Sequence, residues 1–379
     1  MPAQTYDCIV IGTGGVGSAC LYELARRGCR TLGIDQFAPA HDRGSSHGQT
    51  RMIRQAYFEH PDYVPLVLRA FERWHELEQQ SGQQLYNQVG LLQVGPREGP
   101  ILAGVRRSAE EYSLPLEELS PREIESRFPA FRTGEETIGL LEQRAGYLLV
   151  ERTVATYLEQ AQVVGAQHRP EEPVKGWKVA GDGVQVTTHT TTYHAKQLII
   201  TAGAWAAQLL AELHLPLVVR RKSSFWMEPL DDAHRPLAPC PAVLFETDSG
   251  VFYALPQVDD SGVKVADHSG GRAVSDPTAV DRDIDPSERD AVLRFAAAHL
   301  PRLSARVNRH SVCMYTLTPD EHFIVDRHPE HENVALAAGL SGHGFKFCGV
   351  LAEALVDLLL TGETELPIGF LQIVRSALR

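Results

Sequence analysis

The alternation of apolar and polar residues predicts buried strands and amphipathic helices at both ends of the chain. Near the N-terminus, an apolar run at residues 6–11 precedes a helical segment at 18–27 and a second apolar run at 31–34. Near the C-terminus, an apolar run at 334–338 precedes a predicted helix at 345–360 with an apolar stripe. Wholly apolar strands that alternate with helices are typical of a parallel sheet covered on both faces. We therefore expect the two ends to form one α/β unit.

A glycine-rich loop connects the first predicted strand to the first predicted helix. Residues 12–17 read G-T-G-G-V-G, which is a G-x-G-x-x-G motif. Gly12 permits a tight turn, Gly14 lets the backbone approach a pyrophosphate, and Gly17 lets the helix and strand pack closely. Asp35 ends the second strand and can accept a hydrogen bond from a ribose 2′-hydroxyl. Its carboxylate would repel a 2′-phosphate, so NADP is disfavoured. The motif predicts a dinucleotide site rather than a structural turn, but it does not separate FAD from NAD.

The middle of the chain has a different pattern. From about Leu217 to Thr316, short apolar strands are broken by Pro, Asp and Gly, which is typical of an antiparallel sheet. The predicted fold is α/β with two lobes, a discontinuous Rossmann-like lobe and an antiparallel-sheet substrate lobe. The expected boundaries are 1–87, 150–216 and 317–379 for the first lobe, and 88–149 and 217–316 for the second. Further helices are predicted at 63–80, 99–112, 121–127, 151–164 and 287–300, and further strands at 91–94, 138–141, 147–150, 174–188, 197–200, 222–228, 242–246, 251–255 and 263–266.

The composition narrows the class of protein. The 379 residues carry a formal net charge of −12, which argues against nucleic acid or an anionic membrane as a partner. No run of 18 apolar residues occurs, so no transmembrane helix is predicted. The first strand starts within six residues of the N-terminus, so we expect no signal or transit peptide and a cytoplasmic protein. The six cysteines lack C-x-x-C spacing, which indicates free thiols in a reducing compartment.

Two pairs of basic residues at short spacing are candidates for binding or catalysis. Arg51 and Arg54 would share one face of a helical turn, where they could either bind a carboxylate or face solvent. Lys264 and His268 are four residues apart on a predicted strand and would also share a face. The spacing alone leaves Lys264 open as an exposed lysine at a sheet edge, because most lysines are solvated.

Two other groupings have simple structural explanations. Cys313 and Tyr315 share one face of a predicted strand, and Cys313 alone could be a buried thiol. A set of histidines and one glutamate near the C-terminus does not match the spacing of a standard metal site, so we interpret it as surface and expect no metal. This set consists of His322, His328, Glu330 and His331.

Five segments together resemble the monomeric sarcosine oxidase family, and the resemblance covers essentially the whole chain in order. That family includes N-methyl-amino-acid oxidases and pipecolate oxidases, and it has the D-amino acid oxidase-like flavoprotein fold. The segments are the glycine motif at 12–17, G-S-S-H-G-Q-T-R-M-I-R at 44–54, C-M-Y-T at 313–316, P-D-E-H-F-I at 319–324 and S-G-H-G-F-K at 341–346.

The resemblance implies FAD that is attached covalently. The matching cysteine is Cys313, whose sulfur would form a thioether with the flavin 8α-methyl group. Cys348 does not match the attachment position, and its place on the apolar stripe predicts a core residue. The backbone N–H groups after Gly342 and Gly344 would face the flavin N1–C2=O edge, where reduction builds negative charge. The other cofactor-binding residues implied are Gly12, Gly14, Gly17, Asp35, Ser45, Arg51 and Lys346.

The resemblance also implies roles around the substrate. Arg54 and Lys346 would bind the substrate carboxylate, and Lys346 is expected in the first turn of the last helix. Lys264 would stand near flavin N5 through a water and promote the reaction with O2. The remaining residues would line the substrate cavity or lie beside the flavin; they are His268, Tyr253 and Tyr315 for the cavity, and Arg51 and His47 for the flavin.

The expected reaction is oxidation of the C–N bond of an N-methyl or cyclic secondary α-amino acid by a monomeric enzyme. The imine product would hydrolyse, and O2 would be reduced to H2O2. Alternatives within the resemblance are an L-pipecolate or N-methyltryptophan-type oxidase, and a flavin dehydrogenase with another electron acceptor. An NAD-dependent dehydrogenase would leave Cys313 and residues 342–346 without a role. A non-catalytic flavin-binding protein would leave Lys264 and Arg54 without one.

Overall fold

The structure is a computed structural model that describes residues 5–235 and 240–378. The predicted lobe ends at residues 1 and 379 lie outside these residues. The strands are β1 (Thr5–Ile11), β2 (Thr31–Ile34), β3 (Thr50–Ile53), β4 (Tyr86–Gln88), β5 (Leu91–Pro96), β6 (Glu117–Leu119), β7 (Thr137–Glu142), β8 (Gly146–Leu149), β9 (Gln167–Arg169), β10 (Val174–Ala180), β11 (Gly183–Thr188), β12 (Thr192–Ile200), β13 (Val218–Pro229), β14 (Ala242–Thr247), β15 (Gly250–Leu255), β16 (Val263–Asp267), β17 (Leu303–Leu317), β18 (Ile324–Arg327) and β19 (Val334–Ala338). The helices are α1 (Gly15–Arg26), α2 (Tyr63–Ser81), α3 (Pro100–Glu111), α4 (Pro121–Arg127), α5 (Val150–Val163), α6 (Ala206–Leu209), α7 (Pro286–His299) and α8 (Cys348–Leu360).

The two ends of the chain meet in one sheet, as their apolar strands predict. Its central order is β10-β11-β12-β1-β2-β9, and β19 pairs with β12 and β18. β1 runs parallel to β2 and to β12, and β12 runs parallel to β19. Alternate residues of β1 pack into different clusters, with Cys8 and Val10 against α1 and α8, and Ile9 and Ile11 on the other face. The α/β fold predicted from the pattern is confirmed.

A second sheet contains most of the strands predicted in the middle of the chain. Its order is β17-β13-β16-β15-β14-β5-β7-β6, and it is antiparallel except where β14 runs parallel to β5. One face packs on α7, where Phe252 stacks on Phe295 with ring centroids 4.5 Å apart. The alternate residues of β13, β15, β16 and β17 therefore point to the opposite face, where the cavities lie. The exact lobe boundaries given above stay a prediction.

Two local predictions about the backbone are wrong. Residues 50–53 form a strand rather than a helical turn, because β3 pairs antiparallel with β8 in a small sheet of β3, β8 and β4. Lys346 lies in a 3-10 turn, Phe345–Phe347, and not in the first turn of α8, which starts at Cys348. At residues 50–53, the spacing of polar residues fits more than one backbone conformation, and pairing with β8 decides between them.

One of the four residues interpreted as surface is buried. His328 is 3% exposed, its Nε2 lies 3.3 Å from a Glu212 oxygen, and its ring stacks on His331. Packing against Trp177 from β10 encloses it, which a spacing argument does not detect. Within residues 5–235 and 240–378, no group of three or more His, Cys, Asp or Glu could hold a metal ion. None of the helices in those ranges combines the length and apolarity needed to cross a membrane.

Candidate active site

A cavity of about 280 Å³ lies at the carboxyl ends of the parallel strands β1, β2, β12 and β19. This edge of an open α/β sheet is where such folds bind nucleotides. The glycine loop, the segment 201–205 after β12 and the segment 44–46 line one part of the cavity. Residues 313–316 of β17 and the turn after β19 line another part. Segments that are far apart in sequence therefore enclose one elongated space.

The glycine loop needs the absence of side chains at two of its three motif positions. Gly12 has φ +85°, and a Cβ there would stand 2.7 Å from the carbonyl oxygen of Thr201. A Cβ on Gly17 would stand 1.8 Å from the carbonyl oxygen of Gly12, so only glycine allows α1 to pack here. Gly14 has open space except for Ser46 Oγ at 3.3 Å, and it caps the N-terminus of α1. The loop thus presents bare backbone and a helix N-terminus to the cavity, an arrangement that binds phosphate.

Asp35 lies in the same cavity at the end of β2, as its position in sequence predicts. One of its carboxylate oxygens accepts a hydrogen bond from the Thr13 backbone N–H at 2.7 Å. The other accepts from the Phe37 backbone N–H at 3.0 Å. These bonds fix the carboxylate at the cavity wall. Each oxygen retains acceptor capacity for a hydroxyl group.

A second cavity, of about 60 Å³, adjoins the first and shares part of its wall. Four residues line both cavities; they are Arg51, Tyr315, Gly342 and Phe345. The second cavity also brings together side chains from the residue after β3, from β15, from the residue after β16 and from the 3-10 turn before α8. These are Arg54, Tyr253, His268 and Lys346, all of which the resemblance assigned to the site, together with Glu59 and His343, which sequence reasoning missed.

Arg54 is held by an ion pair at the edge of this cavity. Its Nη2 donates to Glu59 Oε1 at 2.6 Å, and its guanidinium lies 4.3 Å from the centre of the Tyr57 ring and 4.5 Å from that of Phe58. Burial opposes ionisation of Glu59, but the attraction of Arg54 outweighs it and lowers the pKa of the carboxyl to about 2. Arg54 Nε has no hydrogen-bond partner among the residues the structure describes. A carboxylate entering the cavity would therefore meet a buried guanidinium with donor capacity left.

Lys346 is also buried in the wall of this cavity and belongs to a hydrogen-bonded chain. Its ammonium donates to the His343 carbonyl at 2.7 Å and to the Tyr57 hydroxyl at 3.2 Å. Tyr57 in turn contacts His343 Nδ1 at 2.6 Å, and His343 Nε2 lies 3.2 Å from the Glu321 carbonyl. Burial, and then the charge of Arg54, lower the pKa of Lys346. The S-G-H-G-F-K motif contained His343, and that was the signal by which it could have been found.

Cys313 and Cys348 both reach the larger cavity but in different surroundings. Cys313 Sγ lies 3.4 Å from Arg51 Nη2 and 3.5 Å from the Ser45 carbonyl. Cys348 is buried at the start of α8. A Cβ added to Gly15 would stand 2.6 Å from the Cys348 Sγ. Burial raises the pKa of the Cys348 thiol. Cys313 therefore lies beside a guanidinium on the cavity wall, whereas Cys348 packs under the glycine loop.

Lys264 is 1% exposed, so the alternative of an exposed lysine at a sheet edge is wrong. Its ammonium donates to the carbonyls of Gly48 at 2.7 Å and Thr50 at 2.9 Å, just before and at the start of β3. Burial, followed by the nearby charge of Arg51, lowers its pKa well below the usual range. His47 lies in the same region with Nδ1 3.2 Å from the Ser311 hydroxyl, and its Nε2 has no partner among the described residues. Burial and the same cations lower the pKa of His47 to about 3.

Comparison with known proteins decides which dinucleotide this architecture serves. Residues 7–358 match the sequence profile of the DAO family, described as FAD dependent oxidoreductase. The chain belongs to this family of FAD-dependent oxidoreductases. It is 42% identical to the monomeric sarcosine oxidase of Streptomyces avermitilis over 99% of each chain. It is 36% identical to the N-methyl-L-tryptophan oxidase of Citrobacter koseri over 93% of this chain and 94% of that one.

Solved structures agree with this membership. NikD, an unusual amino acid oxidase, superimposes with a TM-score of 0.87 at 25% identity over 97% of both chains. Glycine oxidase from Geobacillus kaustophilus superimposes with a TM-score of 0.82 at 20% identity, over 98% of this chain and 99% of that one, which shows the fold alone. The resemblance predicted from the motifs is confirmed, and the NAD-dependent alternative is wrong because the family uses FAD.

The residues of this FAD-dependent family member fit the cofactor. Gly14 leaves open space beside the N-terminus of α1, where a pyrophosphate would be bound by backbone N–H groups. Gly342 has φ +79°, and a Cβ there would stand 2.5 Å from the Tyr315 ring, so backbone and not side chain faces the shared wall. Of the predicted cofactor residues, Gly17 serves packing and Lys346 lines only the smaller cavity. The others line the larger cavity; they are Gly12, Gly14, Asp35, Ser45, Arg51, Cys313, Gly342 and Gly344.

Proposed function

We propose that this protein is a sarcosine oxidase-like enzyme that oxidises N-methyl, or secondary, α-amino acids. Bound FAD supplies the two-electron acceptor, and O2 takes the electrons on to give H2O2, while the released imine hydrolyses in water. The observation that carries this proposal is the pair of buried cations, Arg54 and Lys346, in a small cavity that shares a wall with the nucleotide cavity. Two buried cations that face one small cavity select a carboxylate ligand.

The first task of the site is to bind and orient the substrate. Arg54 would exchange part of its ion pair with Glu59 for the substrate carboxylate, and Lys346, which lines the same cavity, would hold the same group. His268, Tyr253 and Tyr315 would then surround the amine. A neutral amine is needed for oxidation, and the surrounding cations and burial both lower its pKa.

His268 itself is kept neutral in this cavity. Burial lowers its pKa to about 4, and the nearby cations add to that effect. Its Nδ1 lies 3.3 Å from the Tyr315 hydroxyl. At neutral pH the imidazole can therefore accept a hydrogen bond from the amine or donate one to it without adding a charge.

Residues on the cofactor side would serve FAD and oxygen. Cys313 is proposed as the thioether attachment site, supported by its position on the wall of the nucleotide cavity beside Arg51. Backbone N–H groups after Gly342 and Gly344 would stabilise the negative charge of reduced flavin. Lys264 would promote O2 reduction as a buried cation, and Arg51 and His47 would lie beside the flavin.

The size of the smaller cavity bears on the substrate. Its volume of about 60 Å³ corresponds to about four to six water molecules at about 10–15 Å³ each. We therefore expect sarcosine and other small N-methyl amino acids to react faster than pipecolate or N-methyltryptophan. A monomeric state and a cytoplasmic location are further parts of the proposal, and the first is supported by the name of the Streptomyces relative.

A substrate panel tests the proposal. Purified enzyme is mixed in air with sarcosine, N-methyl-L-tryptophan, L-pipecolate and glycine, and peroxide is measured with a coupled peroxidase. Peroxide formation from a secondary amino acid, with sarcosine the fastest, supports the proposal. Flavin reduction without peroxide, followed by turnover only with an artificial electron acceptor, would instead favour a dehydrogenase.

A further inference from the structure

Lys222 is a buried lysine on the active face of the second sheet to which no role has been given above. It lies on β13 directly opposite Cys313 of β17, so the two side chains share a face. Trp226 is four residues from Lys222 on β13 and therefore on the same face. Because Trp226 pairs with Lys264 of β16, Lys264 is on this face as well. Lys222 is 6% exposed. A lysine this deeply buried is uncommon unless its ammonium is engaged.

The contacts of Lys222 are unusual for a structural lysine. Its ammonium donates to the Ser269 backbone carbonyl and lies 5.5 Å from the centre of the Tyr315 ring. A Cβ on Gly271, which has φ +105°, would stand 3.0 Å from the Lys222 Cδ. The carboxylates that act on its charge are Asp267 and Glu288. Burial, the larger effect, lowers the pKa of Lys222, while Asp267 and Glu288 oppose the decrease.

These contacts converge on His268. His268 begins the turn whose next residue, Ser269, accepts the bond from Lys222. Its backbone N–H donates to the Val251 carbonyl at 2.7 Å, and its ring meets Tyr315 with centroids 5.6 Å apart. Lys222 therefore donates to the turn that carries the imidazole and faces the ring of the tyrosine that contacts it.

The charges around His268 come from several elements. The cations are Lys222 of β13, Arg54 after β3 and Lys346 of the 3-10 turn, and the facing carboxylate is Glu59. After burial, Lys222 makes the largest charge contribution to lowering the His268 pKa, ahead of the opposing Glu59. The adjacent titratable side chains are Asp267, beside it in sequence, and Tyr253, Tyr315, Arg51 and His343 on the cavity wall.

We propose that Lys222 is a positioning residue for the substrate cavity: its ammonium anchors the turn after β16 and faces the Tyr315 ring, and it thereby holds the imidazole of His268 toward the substrate amine. The benefit of this placement for the substrate rests on the proposed function, but the effect of Lys222 on His268 does not. Because like charges disfavour each other, removal of the Lys222 charge makes protonation of His268 easier.

The direct test is histidine NMR on the holoenzyme, which needs no turnover. The His268 signal is assigned by its loss in His268→Asn, and its titration is followed in the wild type and in Lys222→Met, Lys222→Gln and Lys222→Arg. Glutamine keeps a hydrogen-bond donor for Ser269 without the charge, and it remains informative if the methionine variant folds poorly. Lys178→Met, which removes an exposed lysine of β10, is the matched control.

The expected result is a His268 midpoint raised by about one pH unit or more in the methionine and glutamine variants. The arginine variant and the control should keep the wild-type midpoint. An unchanged midpoint in both Lys222→Gln and Lys222→Met overturns the proposal. A companion kinetic experiment measures the rate of flavin reduction by sarcosine as a function of pH. The midpoint on the acid side of this profile should rise by the same amount. If the wild type oxidises no secondary amino acid but the midpoint still moves, the proposed function fails and the assignment of Lys222 stands.

Discussion

Replacement of Lys264 by methionine separates the two half-reactions of the proposed enzyme. Methionine keeps most of the apolar stem and removes the charge that donates to the Gly48 and Thr50 carbonyls. Transfer of an electron to O2 creates an anion, whereas substrate oxidation creates no anion at that position. The variant should therefore be impaired chiefly in its reaction with oxygen.

The size of the effect follows from the burial of Lys264, which is 1% exposed. A full charge about 4 Å from a developing anion contributes about 4 kcal/mol at an effective dielectric constant of about 20. Since about 1.4 kcal/mol corresponds to a factor of ten in rate, reoxidation should slow by about 10²–10³-fold. The two carbonyls lose a donor, at about 1–3 kcal/mol for each unsatisfied group, so thermal unfolding is measured alongside.

Stopped-flow spectroscopy measures the two steps separately. Flavin reduction is followed after anaerobic mixing with sarcosine, and reoxidation is followed after mixing the reduced enzyme with oxygenated buffer. Lys178→Met is again the control, because it removes a lysine charge from an exposed position. If Lys264→Met is reoxidised at the wild-type rate, Lys264 has no part in oxygen activation and the electrostatic reasoning is refuted.

Three further predictions concern the cofactor, the carboxylate and the ion pair. Cys313→Ala should release its flavin on acid precipitation while Cys348→Ala retains it, and the reverse pattern would move the attachment site to Cys348. Arg54→Ala and Lys346→Met should each weaken binding of a carboxylate inhibitor by about 2–5 kcal/mol, measured by flavin difference spectra, and unchanged affinity in both would exclude their role. Because folding lowers the Glu59 pKa from 4.5 to about 2, its stabilising contribution is present above pH 4.5 and is lost as pH falls towards 2. In Glu59→Gln, the free energy of unfolding should therefore depend less steeply on pH in this window than in the wild type. Identical pH dependence in the two proteins would contradict the ion pair.

The sequence predicted the elements whose residues follow one clear periodicity. The apolar β1 and β2 and the stripe of α8 were predicted because a fully buried parallel strand and an amphipathic helix leave distinct patterns. The glycine loop was predictable for a different reason, since a Cβ at Gly12 or Gly17 would collide with backbone. These features depend on local chemistry that a single sequence displays.

The errors and omissions arise where tertiary contacts decide. The strand at residues 50–53 exists because it pairs with β8, which no local pattern reveals. From its sequence context, Lys264 could have been an exposed lysine at a sheet edge. In the structure its side chain is buried and donates to carbonyls more than two hundred positions away in sequence. Glu59 and Tyr57 were missed because their importance comes only from their contact with Arg54 and Lys346. Without the family resemblance, the spacing of Arg51 and Arg54 left their role undecided.

The central claim is that this FAD-dependent protein oxidises the C–N bond of a secondary amino acid and passes the electrons to oxygen. The most direct measurement compares sarcosine with glycine, which lacks only the N-methyl group, in anaerobic mixing with the purified enzyme. Our account predicts that sarcosine bleaches the visible flavin band much faster than glycine, and that added O2 restores the band with formation of an equal amount of H2O2. A flavin that sarcosine and the other secondary amino acids leave oxidised would contradict it.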